Sequence, residues 1–277
     1  MDDEVIELEG FPALRLSVRH FSLMNSLLTV LNSTEADNPE NVLARYFLER
    51  FDHLCDLNVY DVAEECYTSR SGIRRFCQSI GFDNFSALKS CDWEWETHRG
   101  FFVGYTDHED FEQRLARDIN AMMRDINTHI ERDDLTNLAT LVHDAEEVLL
   151  VTSDFSSMAV REFQQSMLFM HQVVRILTDS FGSERDLAAL NSKSLVIVIS
   201  ATGNYARAVR RQIENVAASR VLITLDHDEE LALPYDAALY LSSENFYGQR
   251  TVYAKYGINY FFDLLYHRYF ELYGPKK

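Results

Sequence analysis

Glycine and proline are scarce in this 277-residue chain, at 10 and 4 residues. Few turns are therefore forced, which suits a helix-rich architecture. Long apolar runs are missing too: no stretch approaches about 18 uncharged apolar residues, so no segment reads as a membrane span. The opening residues, MDDEVIELEG, hold five acids, unlike a signal or transit peptide. The reading is a cytoplasmic protein with no membrane partner.

Cysteine is limited to Cys55, Cys66, Cys77 and Cys91, all in the first third of the chain. Their spacing matches no paired zinc-ligand pattern, and each lies among apolar neighbours on an expected helix. They read as buried, reduced thiols, and no metal or cofactor is implied. Basic charge is also in deficit, with 26 Lys+Arg against 44 Asp+Glu and a net charge of −18. Residues 33–90 hold six basic against ten acidic side chains, and residues 131–277 hold fourteen against twenty. Phosphate neutralisation dominates nucleic-acid affinity, so any contact with DNA must rest on a local cluster.

What is present is a globular composition, 47% hydrophobic and 25% charged, in a chain long enough for two modest domains. Residues 14–90 show apolar spacing of helical period. Leu43, Tyr46, Phe47 and Phe51 form one stripe; Val59, Val62 and Ala63 start a second; Ile73, Phe76, Cys77 and Ile80 form a third, stopped by Gly81. Trp93 and Trp95 flank a stretch that reads as irregular through Thr106. A helix is expected from Glu109 to about Ile130, with another across Leu135–His143.

From Glu147 strands and helices alternate. EVLLVTS (147–153), VVRILTD (173–179), SLVIVIS (194–200), RVLITLD (220–226) and AALYLSS (237–243) read as five strands. Their alternation with helices implies a parallel sheet covered on both faces. One helix is expected after Gly203, carrying Tyr205, Val209, Ile213 and Val216 inward, with Arg207, Arg210 and Arg211 on its polar side. A last helix, roughly Val252 to Tyr273, is apolar almost all round, as for a core or interface element. The expected division is a helical domain over 1–92, a helical connector over 93–130 and an α/β domain over 131–277.

Between Val59 and Phe85 the chain runs VYDVAEECYTSRSGIRRFCQSIGFDNF. This reads as a helix over 59–66, a short turn, and a second helix capped by Ser69. Arg70, Arg74 and Arg75 project from one side while Ile73, Phe76 and Cys77 face the other. A helix that enters a DNA major groove needs this division, although the spacing alone equally suits an ordinary surface helix. The stretch DVAEECYTSRSGIRRFCQSIGFDNFSAL resembles the helix-turn-helix of RpiR/MurR-family regulators. Ser69, the Arg75–Phe76 pair, Gly81–Phe82 and Phe85 match the family's run. Gly72 departs from it, standing where Thr is usual. The resemblance implies contact with a double-stranded DNA operator through Ser69, Arg70, Ser71, Arg74 and Arg75.

A second constellation closes the third strand, where SATGN (200–204) opens a helix. Unpaired amides and a helix dipole favour an anion there, and ligands in open parallel sheets lie beyond the strands' carboxyl ends. Taken alone, the residues fit simple helix capping by Thr202 or Asn204 slightly better. Residues 130–275 resemble the sugar isomerase (SIS) domain that this family carries, a flavodoxin-like fold. The resemblance implies a phosphorylated sugar effector held by Ser156, Ser200, Thr202, Gly203 and Asn204. The matching turn after the first strand, Thr152-Ser153-Asp154-Phe155-Ser156, keeps Ser156 but lacks the family's two glycines. Asp154 also brings a like charge toward a phosphate, and two such charges about 4 Å apart cost about 4 kcal/mol at an effective dielectric of 20. The expectation is a non-enzymatic DNA-binding regulator of sugar metabolism genes that assembles as a homodimer or homotetramer. The alternatives are a scaffold with a degenerate pocket and a sugar-phosphate isomerase, for which His171 and His227 would be the candidate bases.

Overall fold

The computed structural model describes residues 22–178, 184–246 and 252–275. The acidic opening segment, the start of the expected helical region at residue 14, and Asp179 at the end of the second expected strand lie outside these residues. The chain divides into two compact units, Met1–Glu109 and Asp110–Lys277.

The first unit holds α1 (Leu23–Ser33), α2 (Pro39–Glu49), α3 (Val59–Glu65), α4 (Arg70–Ser79), α5 (Phe85–Lys89) and α6 (Trp93–Thr106). Short polar side chains fix the helix starts. Asn38, Asn58, Ser69 and Asn84 each accept a hydrogen bond from an amide in the first turn of α2, α3, α4 and α5, which satisfies donors the helix cannot use internally. The apolar stripes meet in one core around Leu27, Leu43, Phe47, Phe51, Val62, Ile73, Phe76 and Leu88. Phe47 of α2 stacks on Phe76 of α4 with ring centroids 5.9 Å apart.

Two expectations fail in this unit. The stretch from Trp93 to Thr106 is a 14-residue helix, and its first turn makes a contact that sequence spacing does not reveal. Glu94 is buried, and its carboxylate accepts hydrogen bonds from the Ser22 hydroxyl (2.9 Å) and from the amides of Leu23 (2.7 Å) and Met24 (3.1 Å). Cys66, Cys77 and Cys91 are buried as expected, and burial pushes their thiols up to about 11, 12 and 12. Cys55, by contrast, is exposed. It lies in a 3₁₀ turn, Phe51–Asp56, whose period of three buries Phe51 and Leu54 and turns Cys55 outward.

The second unit begins with α7 (Phe111–His129) and α8 (Arg132–Asp144). It continues through β1 (Glu147–Thr152), α9 (Ser157–Leu168), β2 (Val174–Leu177), α10 (Glu184–Ala188) and β3 (Ser194–Ser200). It closes with α11 (Asn204–Ala208), α12 (Arg210–Glu214), β4 (Ser219–Thr224), α13 (Glu229–Ala232), β5 (Ala237–Tyr240) and α14 (Ile258–Tyr273). The five strands form one parallel sheet in the order β2-β1-β3-β4-β5. Every residue of β3 is buried, as continuous apolar runs in a sheet covered on both faces require. The fold class is thus the expected one: a helical unit followed by a five-stranded parallel α/β unit.

The segment after Gly203 is two short helices rather than one, broken where Val209 leaves helical geometry at φ −95°, ψ 2°. Tyr205, Val209, Ile213 and Val216 still face inward. The last helix is preceded by a π-helical turn, Tyr253–Gly257. It buries Ile258, Phe261, Phe262, Leu265 and Tyr269 against α8 and α9 and leaves Phe270 exposed, so it is one-sided rather than apolar all round.

Candidate nucleic-acid interface and ligand crevice

Helices α3 and α4 are joined by a four-residue turn, Cys66–Ser69. Ser69 has extended backbone angles, and its hydroxyl accepts from the Gly72 amide at 3.1 Å and lies 2.8 Å from the Ser71 hydroxyl. Ile73 and Cys77 are fully buried and Phe76 nearly so, while Arg70, Ser71, Arg74 and Arg75 are exposed. Burying side chains of this size contributes about 1.5–3 kcal/mol each, so the helix cannot rotate its arginines inward without losing its anchor. Arg74 and Arg75 have no acidic partner among the described residues. Arg70 is held by Tyr60 of α3: its Nη1 donates to the phenolic oxygen at 3.1 Å, and its guanidinium lies 5.1 Å from the ring centroid.

Gly72 acquires a reason that its sequence position did not supply. A Cβ at residue 72 would sit 2.5 Å from the Thr68 hydroxyl oxygen.

Helices α3 and α4 end in the same way. After α4, the Gly81 amide donates to Gln78 and the Phe82 amide to Cys77, with Gly81 at φ 96°. After α3, the Tyr67 amide donates to Glu64 and the Thr68 amide to Ala63, with Tyr67 at φ 50°. Both are the paired-bond cap that calls for a left-handed residue, usually glycine.

In the second unit the strand order reverses between β1 and β3, and the crevice beyond their carboxyl ends is where such sheets bind ligands. Register places Thr152 opposite Ile199, which brings together the two turns singled out in the sequence. Ser156 ends a 3₁₀ turn after β1 and is buried. Ser200 is buried and accepts from the Ala206 amide at 3.1 Å. Thr202 and Asn204 are partly exposed, and the buried Asn204 side-chain oxygen has no hydrogen-bond partner among the described residues.

Gly203 has φ 79°, and a Cβ there would run into the Asp226 carboxylate and the Arg207 guanidinium. Arg207 was expected on a solvated face but is only 16% exposed. Its Nη1 donates to Asp226 at 2.6 Å and its Nη2 to Asp228 at 2.7 Å. Burial opposes ionisation of Asp228, but the Arg207 hydrogen bond and the amides of Glu230 and Leu231 outweigh it and hold its carboxyl below the usual range. The cation nearest the Gly203 turn is therefore already paired with two carboxylates.

The histidines named as possible bases fall elsewhere. His171 sits in the turn after α9 at φ 59°. The His227 Nε2 lies 3.0 Å from the Ser242 carbonyl, with its ring against Tyr240.

Residues 24–95, spanning α1 to the start of α6, match the helix-turn-helix domain of the rpiR family. This segment is therefore similar to the RpiR-family helix-turn-helix domain. The chain is also 26% identical over 186 residues to the HTH-type transcriptional regulator GlvR of Bacillus subtilis (strain 168), a match that covers 65% of this chain and 66%, just under two thirds, of that protein. Among solved structures, the Vibrio vulnificus NanR protein complexed with ManNAc-6P is similar at 17% identity and a TM-score of 0.49, covering 91% of this chain and 92% of that one. The sugar isomerase domain of an RpiR transcription factor from Sphaerobacter thermophilus is similar at 14% identity and a TM-score of 0.46, covering 57% and 90%. Within the matched segment, sequence reasoning placed the arginine face but missed Tyr60 and Tyr67. Their signal in the sequence is a pair of aromatics, Tyr60 and Tyr67, ahead of the Ser69 cap.

Proposed function

We propose that this protein is a DNA-binding transcription regulator, not an enzyme, that acts in the cytoplasm as a homodimer or homotetramer. Its proposed operator contacts are Ser69, Arg70, Ser71, Arg74 and Arg75. One observation carries the reading: an RpiR-family helix-turn-helix domain whose second helix is anchored by Ile73, Phe76 and Cys77 and presents three arginines to solvent. The likeness to the regulator GlvR supports it. A symmetric assembly would bring two such helices to two operator half-sites. The test is selection of duplex DNA from a random-sequence pool, followed by binding of the Arg70→Ala/Arg74→Ala double variant. The reading requires an enriched duplex in the first step and its loss in the second.

The effector of this regulator is proposed to be a phosphorylated sugar in the crevice at the β1–β3 switch point, near Ser156, Ser200, Thr202, Gly203 and Asn204. A ligand that binds one arrangement of the assembly better than another shifts the population toward it. The second reading, a crevice that no longer senses phosphosugars, is favoured by the pairing of Arg207 with Asp226 and Asp228 and by the acid Asp154. A thermal-shift screen with hexose phosphates and amino-sugar phosphates separates the two. Ligand at 100 times its dissociation constant adds about 2.7 kcal/mol under the first reading and nothing under the second.

A further inference from the structure

The domain proposed to bind DNA is acidic, with six basic against ten acidic residues over 33–90. Arginines alone give it a small electrostatic footprint, so neutral donors to phosphate carry more of the contact than in a basic domain. The two caps of the helix-turn-helix single out one such donor. The cap after α4 uses Gly81 at φ 96°, the residue that takes this conformation without steric penalty. The cap after α3 uses Tyr67 at φ 50°, where a side chain is disfavoured. Packing does not explain the choice, because Tyr67 is 95% exposed and its side chain makes no hydrogen bond or ring contact among the described residues. The cap itself needs only the left-handed backbone, which glycine supplies more cheaply, and residues kept in such conformations cluster at functional sites.

Tyr67 stands two residues before the Ser69 cap, on the turn that leads into the arginine face. We infer that Tyr67 is a DNA-contacting residue whose phenolic hydroxyl donates to a backbone phosphate oxygen beside the first turn of α4. The inference rests on the DNA-binding reading above. It assigns to Tyr67 a contact that is sequence-independent and uncharged, so it adds affinity without counterion release.

The test uses the full chain, with the duplex best enriched from a random-sequence pool on the wild-type protein as probe. Tyr67→Phe removes only the hydroxyl, and Tyr67→Gly also relieves the backbone. Both variants should bind about three- to tenfold more weakly, with an unchanged slope of log affinity against log salt. Tyr67→Gly should at the same time raise the melting temperature of the first unit by about 4–8 °C. Weaker binding by a more stable protein cannot come from damage to the fold. Wild-type affinity in either variant, or a reduced salt slope in either, overturns the inference while leaving DNA binding intact. Failure of the wild-type protein to enrich any duplex overturns the DNA-binding reading itself, and the inference with it.

Discussion

The Arg207 guanidinium meets the buried Asp226 carboxylate at 2.6 Å beside the Gly203 turn, and it reaches Asp228 with its other nitrogen. Asp226 is 1% exposed and depends on this partner. Removing one member of a buried pair leaves an uncompensated charge, at a cost of about 3–5 kcal/mol. Arg207→Met should destabilise the second unit by about that amount, and adding Asp226→Leu should restore much of it. Urea denaturation of the single and double variants measures both. Equal stability of Arg207→Met and wild type would mean that the pair contributes nothing.

Glu94 caps the start of α1 alongside the Ser22 hydroxyl. It accepts from one hydroxyl and two amides at the helix start, where a negative charge also meets the helix dipole favourably. Glu94→Ala should lower the stability of the first unit by roughly 2–3 kcal/mol, in line with loss of charge-assisted hydrogen bonds. Glu94→Gln, which keeps an acceptor, should lose about half as much. Thermal unfolding followed by circular dichroism reads the difference; equal losses in the two variants would point to packing rather than capping.

These two contacts mark the limit of what the sequence made legible. Strand β3 was bounded correctly, Ser194–Ser200, because seven consecutive apolar or small residues ending in a hydroxyl-rich turn have few other solutions. The arginine face of α4 was legible because Ile73, Phe76 and Cys77 recur at helical spacing between the cations. The helix over 93–106 was not, because its apolar residues follow no clean period and its start is tied to Ser22, 72 residues away. Arg207 was placed on a solvated face because its partners lie 19 and 21 residues downstream, beyond any local pattern. The exposure of Cys55 followed from a 3₁₀ turn read as an α-helix. Tyr67 stood in a turn whose handedness depends on a cap formed only when α3 stops.

Asp125 of α7 accepts hydrogen bonds from the Ser242 and Ser243 hydroxyls, at 2.9 and 2.7 Å, and from the Tyr253 hydroxyl at 2.7 Å. Burial alone raises its pKa, but the bonds from Tyr253, Ser243 and Ser242 outweigh it and hold the carboxyl below its usual 3.8. A carboxyl depressed on folding stabilises above its unfolded pKa, and that contribution disappears as pH falls through the folded value. Asp125→Asn should therefore reduce stability at neutral pH but lose its difference from wild type as the solution is acidified below the ordinary carboxylate range. A stability difference that is flat across this acid window would show that Asp125 is not held as described.

Under the proposed function, α4 presents its arginines to DNA phosphates or bases in an otherwise acidic domain. Affinity for the selected duplex, measured against salt concentration for wild type, Arg74→Ala and Arg75→Ala, tests it most directly. Log affinity should fall linearly with log salt, and removing each arginine bound to phosphate should lower the slope by about 1. An arginine that reads a base should instead cost about 1–3 kcal/mol and relax preference at one position. Variants with wild-type affinity, slope and sequence preference would contradict the claim and place the DNA contact, if any, on another face.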